Sequence, residues 1–215
     1  MGSVSVRRPG KARIGTPPQQ SPDVPVPSGG GTASAAGVRS RRSKRWRRAL
    51  LALAVIIAAF CAATARLFVW PAQGMPPQVS AIVMLDGPGD TLDVAVRLAT
   101  QHRAPFLVVS QGTPASGDPC PRQVRGVTLI CFNPVPATTQ GEAEFVGRLA
   151  RKYHWHSVAL VAITPQVSRA QVRVERCFAG QVYVVAAPLT RSSWLYEIAY
   201  EWAALFKAVA VQRAC

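Results

Sequence analysis

Four short segments of this 215-residue chain carry the side chains best suited to chemistry. They are Asp86-Gly87-Pro88-Gly89-Asp90, Ser110-Gln111-Gly112, Ala137-Thr138-Thr139-Gln140-Gly141-Glu142 and Thr164-Pro165-Gln166-Val167-Ser168-Arg169. Asp86 and Glu142 are the carboxylates that suit proton transfer, or a grip on a hydroxyl or divalent cation. Ser110, Thr138 and Thr139 bring hydroxyls, Gln166 an amide, and the turns at Gly87, Gly89 and Gly112 bring main-chain N–H groups. Arg169 is the most informative. It falls in the first turn of a predicted helix, where a cation opposes the macrodipole, so a bound anion such as phosphate explains it better than helix stability does.

Plainer explanations stand beside these. Asp90 with Asp93, and Thr139 with Glu142, have the spacing of helix N-caps. Ser110 at a strand end is a common turn residue. The full dinucleotide fingerprint is missing from the first turn. His102, His154 and His156 fall at or near predicted helix ends, so no Ser-His-Asp or Cys-His arrangement is visible. Glu197 and Glu201, four apart on the last predicted helix, default to its surface, with one of them reaching the sheet as the alternative.

Each polar segment follows a run that reads as a buried strand. Residues 81–85, 106–109, 127–132 and 158–163 are continuously apolar or nearly so, and 181–186 makes a fifth strand. Helical periodicity covers 92–102, 142–153, 167–178 and 193–211. Continuous apolar strands alternating with helices imply an α/β fold, a doubly wound, mainly parallel, Rossmann-like sheet with helices on both faces. In such a sheet ligands bind beyond the carboxyl ends of the strands, where all four polar segments would meet. Residues 112–126, rich in Gly, Pro and Cys, read as a loop joining the second strand to the third.

The formal net charge of +15 is unevenly placed. Residues 1–48 hold eleven basic groups and one acid, Asp23, whereas the chain from Pro71 onward holds thirteen basic groups and nine acids. The body therefore lacks the cationic face that nucleic-acid binding requires, and no nucleic-acid partner is expected. Residues 1–38 read as a disordered tail, extended to residue 48 by a basic run. Residues 49–70 follow as a transmembrane helix, about 30 Å long at about 1.5 Å per residue. Seven cations from Arg39 to Arg48 predict a cytoplasmic N-terminus and an extracytoplasmic body from residue 80, after a Pro-rich linker over 71–79. A cleaved signal peptide is the alternative, since Ala63-Thr64-Ala65 resembles a cleavage site.

Cysteine usage fits an oxidising compartment. Cys61 lies inside the membrane segment, and Cys120, Cys131, Cys177 and Cys215 follow it, an even number. Three pairings are possible, and Cys120–Cys131 with Cys177–Cys215 is favoured. With no C-x-x-C and no His beside these cysteines, zinc is the weaker reading and no metal is expected.

In the order of its motifs, the chain from about residue 79 to 209 resembles the bacterial envelope family of YdcF, SanA and ElyC proteins. The likeness rests on the strand and Gly-rich turn from Ile82 to Gly89, the Ser-x-Gly turn at Ser110, the Thr-rich helix start at Thr138, and the segment ending in Arg169-Ala170. It implies a membrane-anchored α/β domain involved in envelope integrity or cell-wall precursor metabolism. The chain departs from the family pattern at three positions: Thr91 stands where an Arg is usual, Gln111 where a Gly is, and Gln166 where a His is. Losing that His removes the obvious general acid or base. The expected function is thus binding of a phosphorylated or otherwise anionic envelope metabolite, lipid phosphate included. Arg169 would contact the anion; Gly87, Gly89, Ser110, Gly112, Thr138, Thr139 and Gln166 would complete the cradle. Any catalysis would fall to Asp86 or Glu142, and no cofactor is identifiable. A non-catalytic module contacting other envelope proteins is the alternative.

Overall fold

The computed structural model describes residues 36–112, 120–189 and 194–215, with side chains from Lys44 onward. The expected disordered tail, as far as residue 35, and residues 113–119 of the expected loop lie outside the described residues. The chain divides into an N-terminal unit ending at Arg47, described only in its helical part, and a body from Arg48 to Cys215.

The body is built on five parallel strands, β1 (Ala81–Met84), β2 (Phe106–Ser110), β3 (Thr128–Phe132), β4 (Ser157–Ile163) and β5 (Gln181–Ala187). Their order is β3-β2-β1-β4-β5, which puts β1 at the centre, in register with Phe106–Val109 of β2 on one side and Val158–Val161 of β4 on the other. This is the Rossmann-like arrangement expected from the apolar runs. Alternation along β1 divides the core. Ala81 and Val83, with Val108 and Leu160, face α3 (Thr139–Tyr153) and α4 (Val167–Cys177). Ile82 and Met84, with Leu107 and Val109, face α2 (Thr91–Thr100) on the opposite side. Every side chain of β1 is buried, which is why the run carries no alternation of polarity. The final helix α5 (Trp194–Phe206) continues into a π-helical turn, Lys207–Val211.

Both favoured disulfides are present. Cys120–Cys131 ties the β2–β3 connection to β3, and Cys177–Cys215 ties the end of α4 to the chain terminus. Arg173 and Arg176 reinforce the second, donating to the Gln212 carbonyl at 2.7 and 2.9 Å. Cys61 is free and exposed.

Three features differ from expectation. The N-terminal helix α1 (Ala36–Thr64) already includes the basic run, which composition alone places in a disordered tail. The residues expected to end a free transmembrane segment instead dock on the body: Phe68 is fully buried, and the Ser168 hydroxyl donates to the Leu67 carbonyl at 2.7 Å. The expected linker is also held, because Gly74 N–H bonds the Val184 carbonyl at 2.8 Å and the Gln73 side chain accepts from Ala186 N–H. An unpaired sheet edge recruits such a strand-like segment for its free backbone groups. The stretch from Lys44 to Val69 is nonetheless long and apolar enough to cross a membrane.

Candidate functional site

The carboxyl ends of the strands open into a cleft of about 380 Å³. It lies where the strand order reverses direction between β1 and β4, the place where open α/β sheets bind ligands. Of the residues anticipated from sequence, Asp86, Gly87, Gly112, Thr138, Thr139, Glu142, Gln166 and Arg169 all line it. Ser110 and Gly89 do not. Ser110 is fully buried at the end of β2, and Gly89 packs toward the Pro188 carbonyl.

Thr138 rather than Thr139 caps α3, accepting from Gly141 N–H at 3.4 Å. That releases Thr139, whose hydroxyl accepts from both Arg169 Nη1 and Gln166 Nε2. Asp90 precedes α2 without making a side-chain cap. Gln166 Nε2 also donates to the Asp86 carbonyl at 3.2 Å, while its Oε1 is buried with no hydrogen-bond partner. The Ser110 hydroxyl is likewise buried, with the Glu142 carboxyl as its polar neighbour. An unsatisfied Gln166 Oε1 at the cleft costs free energy unless water or a ligand group meets it.

The carboxyls are coupled. Glu142, enclosed at the start of α3, accepts from Asp86 N–H at 2.8 Å. Burial pushes its carboxyl above the ordinary glutamate range and the Asp86 charge adds to that, against the pull of the Asp86 amide, the nearby Ser110 hydroxyl and Arg169. Asp86 is also raised, by burial, with the Gly87 amide opposing. Its carboxylate lies directly against Gly112, whose φ of +64° favours glycine.

Sequence reasoning missed the wall built by α5. Tyr196, Glu197, Tyr200 and Glu201 all line the cleft, and the two acids are buried instead of exposed. Glu201, 1% exposed, holds Arg169 by two hydrogen bonds of 2.6 and 2.7 Å, and the Arg169 guanidinium stacks 5.7 Å from the Tyr200 ring centre. Burial works against the Arg169 charge, but Glu201 outweighs it. The first-turn cation of α4 is therefore explained by a carboxylate within the chain. Burial raises the Glu197 carboxyl, assisted by the Glu201 charge. A signal was available: two acids four apart in an otherwise apolar and aromatic helix mark a face turned toward a buried cation.

The histidines stay outside. His102 and His154 adopt φ of 55° and 52° where α2 and α3 end, a role in chain reversal that places neither at the cleft. Among the described residues no group of three or more His, Cys, Asp or Glu could hold a metal ion.

No family model matches the chain, and no curated protein matches it. Among solved structures it is similar to pantothenate synthetase from Thermus thermophilus, at 16% identity and a TM-score of 0.29, covering 66% of this chain and 73% of that one. A second structure of pantothenate synthetase from the same organism gives 16% identity and a TM-score of 0.29, over 64% and 79% of the two chains.

Proposed function

We propose that this protein is a single-pass membrane protein whose body lies on the extracytoplasmic side and uses the cleft to bind a polar envelope metabolite rich in hydroxyl or amino groups. The envelope setting follows the resemblance to YdcF, SanA and ElyC proteins; the two disulfides and the cations preceding the apolar helix support the orientation.

One observation supports this ligand chemistry. Four carboxyl groups line the cleft (Asp86, Glu142, Glu197 and Glu201), and among the described residues Arg169 is the one cation there, already engaged by Glu201. A phosphate would enter against like charge, with no free guanidinium among the described residues to receive it. Hydroxyl and ammonium groups instead find acceptors in the carboxyls, and the buried Gln166 Oε1 adds another. With its raised pKa, Asp86 is the group placed to exchange a proton with such a ligand.

The anionic reading retains one support, the main-chain amides at the start of α3 and the Gly87 turn. Calorimetric titration of the full chain in detergent separates the two, with glucosamine and a polyprenyl phosphate as probes. Glucosamine should bind, and Asp86→Asn should weaken it at least tenfold. Binding of the polyprenyl phosphate alone overturns the hydroxyl-and-amine reading. Failure of both leaves the interaction-module alternative in its place.

A further inference from the structure

The exposed face of α5 has the wrong chemistry for water. Leu195 is 88% exposed, and Tyr196, Tyr200 and Phe206 are also among the most exposed large apolar side chains of the body. With Ala199 and Ala203 they form one stripe at spacings of three and four residues, the surface repeat of a helix. The two acids of this helix, Glu197 and Glu201, are the ones turned inward. The stripe therefore carries no acid, and its first charge is Lys207, exposed at the C-terminal end. Val209 and Val211 extend the exposed apolar surface through the final turn. A soluble domain of this size rarely leaves so continuous an apolar strip uncovered.

The position of the stripe along the membrane-spanning helix indicates what covers it. Trp202, on α5, stacks on Phe60 of α1 with ring centres 5.1 Å apart, and its indole N–H donates to the Thr64 hydroxyl at 3.1 Å. It also meets the edge of Phe68 at 5.2 Å. A hydrocarbon core needs about 20 apolar residues of helix. Counted from Arg48, where the N-terminal basic run ends, that length reaches about Phe68, with Arg66 near its far end. Phe60 lies two turns short of that limit, so α5 meets the span at a level still inside the bilayer. A span ending where the body begins would be too short: the continuously exposed stretch after Arg48 runs only from residue 49 to residue 62, about 21 Å at about 1.5 Å per residue. Apolar surface on the body makes up the missing thickness.

We propose that the outer face of α5 lies in the outer leaflet of the membrane, with Leu195, Tyr196, Tyr200 and Phe206 embedded at the boundary of headgroups and acyl chains. Tyrosines suit that depth because the ring is apolar and the hydroxyl is wet. Lys207 reaches the lipid phosphates by extending its stem. Tyr196 and Tyr200 also line the cleft, so its mouth opens at headgroup level. This inference rests on the reading of residues 49–70 as a membrane span, and it is independent of which ligand the cleft takes.

The test uses the full chain in lipid nanodiscs, in a Cys61→Ala background with both disulfides intact. Nitroxide labels are placed singly at Leu195→Cys, Phe206→Cys, Ile56→Cys and Glu175→Cys, and relaxation by oxygen is compared with relaxation by a water-soluble nickel chelate. Labels at 195 and 206 should resemble the one at 56, with oxygen access at least fivefold favoured over nickel, while 175 shows the reverse. Nickel access at 195 and 206 equal to that at 175, with 56 still in lipid, overturns the inference and leaves the span standing. Nickel access at 56 overturns both. Low access of both reagents at 195 and 206 indicates a protein covering and also overturns it. A chain with no label gives the second measurement: lipids brominated near the headgroup should quench tryptophan fluorescence less in Trp202→Phe than in the natural sequence. Equal quenching in the two counts against the embedded position.

Discussion

Arg169 and Glu201 grip each other across the cleft, guanidinium to carboxylate, with Nε on Oε2 at 2.7 Å and Nη2 on Oε1 at 2.6 Å. The pair joins the first turn of α4 to the middle of α5, two elements that share no sheet hydrogen bonds. It lines the cleft and ties α5 to α4, alongside the contacts of Trp202 with Phe60, Thr64 and Phe68.

Breaking the pair from one side should therefore cost more than replacing it. Glu201→Ala leaves a buried guanidinium uncompensated, and the loss should be about 3–5 kcal/mol. Arg169→Met combined with Glu201→Leu removes both charges and should recover most of that. Urea unfolding of the full chain in detergent measures the midpoints. A Glu201→Ala midpoint equal to that of the natural sequence would mean that α5 is held by other contacts.

The acidic cleft should also govern how stability depends on pH. Asp86, Glu142 and Glu197 all have carboxyl pKa values raised in the folded state above their ordinary values of 3.8, 4.5 and 4.5. A raised carboxyl binds its proton more tightly when folded, so this contribution is fully present below the unfolded value and lost as pH rises through the folded one. Stability assigned to these groups should thus fall from about pH 4 upward. Glu142→Gln, which cannot ionise, should flatten the slope of the urea midpoint against pH over that window. An unchanged slope would mean that Glu142 stays charged in the folded protein.

The architecture was legible because buried parallel strands must be apolar on both faces: residues 81–85, 106–109 and 158–163 read as strands for the same reason that they are buried. The rim was legible because polar residues follow each strand. Arg169 shows the limit. Local sequence identified a cation in an unfavourable helical position, but its partner lies 32 residues away on a helix whose inward face depends on tertiary packing. The docking of residues 65–74 escaped notice for a related reason, since edge pairing and burial of Phe68 are set by the body and not by the segment's own composition.

Gly112 is where backbone freedom and the site meet. Its φ of +64° is costly for other residues, and a Cβ there would collide with the Asp86 carboxylate. Gly112→Ala should destabilise the protein by about 1–3 kcal/mol and displace Asp86 from the cleft. Glucosamine binding should then weaken beyond what the loss of stability explains, because the folded fraction remains near one well below the urea midpoint. Calorimetry in the absence of urea separates the effects. Loss of stability with unaltered affinity would show that Asp86 does not contact the ligand.

The two disulfides should contribute unequally. Cys177–Cys215 closes a separation of 38 residues and Cys120–Cys131 one of 11. On chain entropy alone the first should be worth about 4 kcal/mol and the second about 3 kcal/mol. The longer bridge also works alongside two guanidinium groups: Arg176 donates to the Ala208 carbonyl at 2.6 Å, and Arg173 holds both the carbonyl and the side chain of Gln212. Cys215→Ser should therefore lower the urea midpoint more than Cys131→Ser. The terminal turn should not be released completely, because the arginine contacts remain. Hydrogen exchange over residues 207–211 distinguishes these contributions: Cys215→Ser should speed it moderately, and Cys215→Ser with Arg173→Ala and Arg176→Ala should bring it close to the rate of an unprotected chain. Full exchange in Cys215→Ser alone would assign the anchoring to the disulfide and leave the arginines without a structural share.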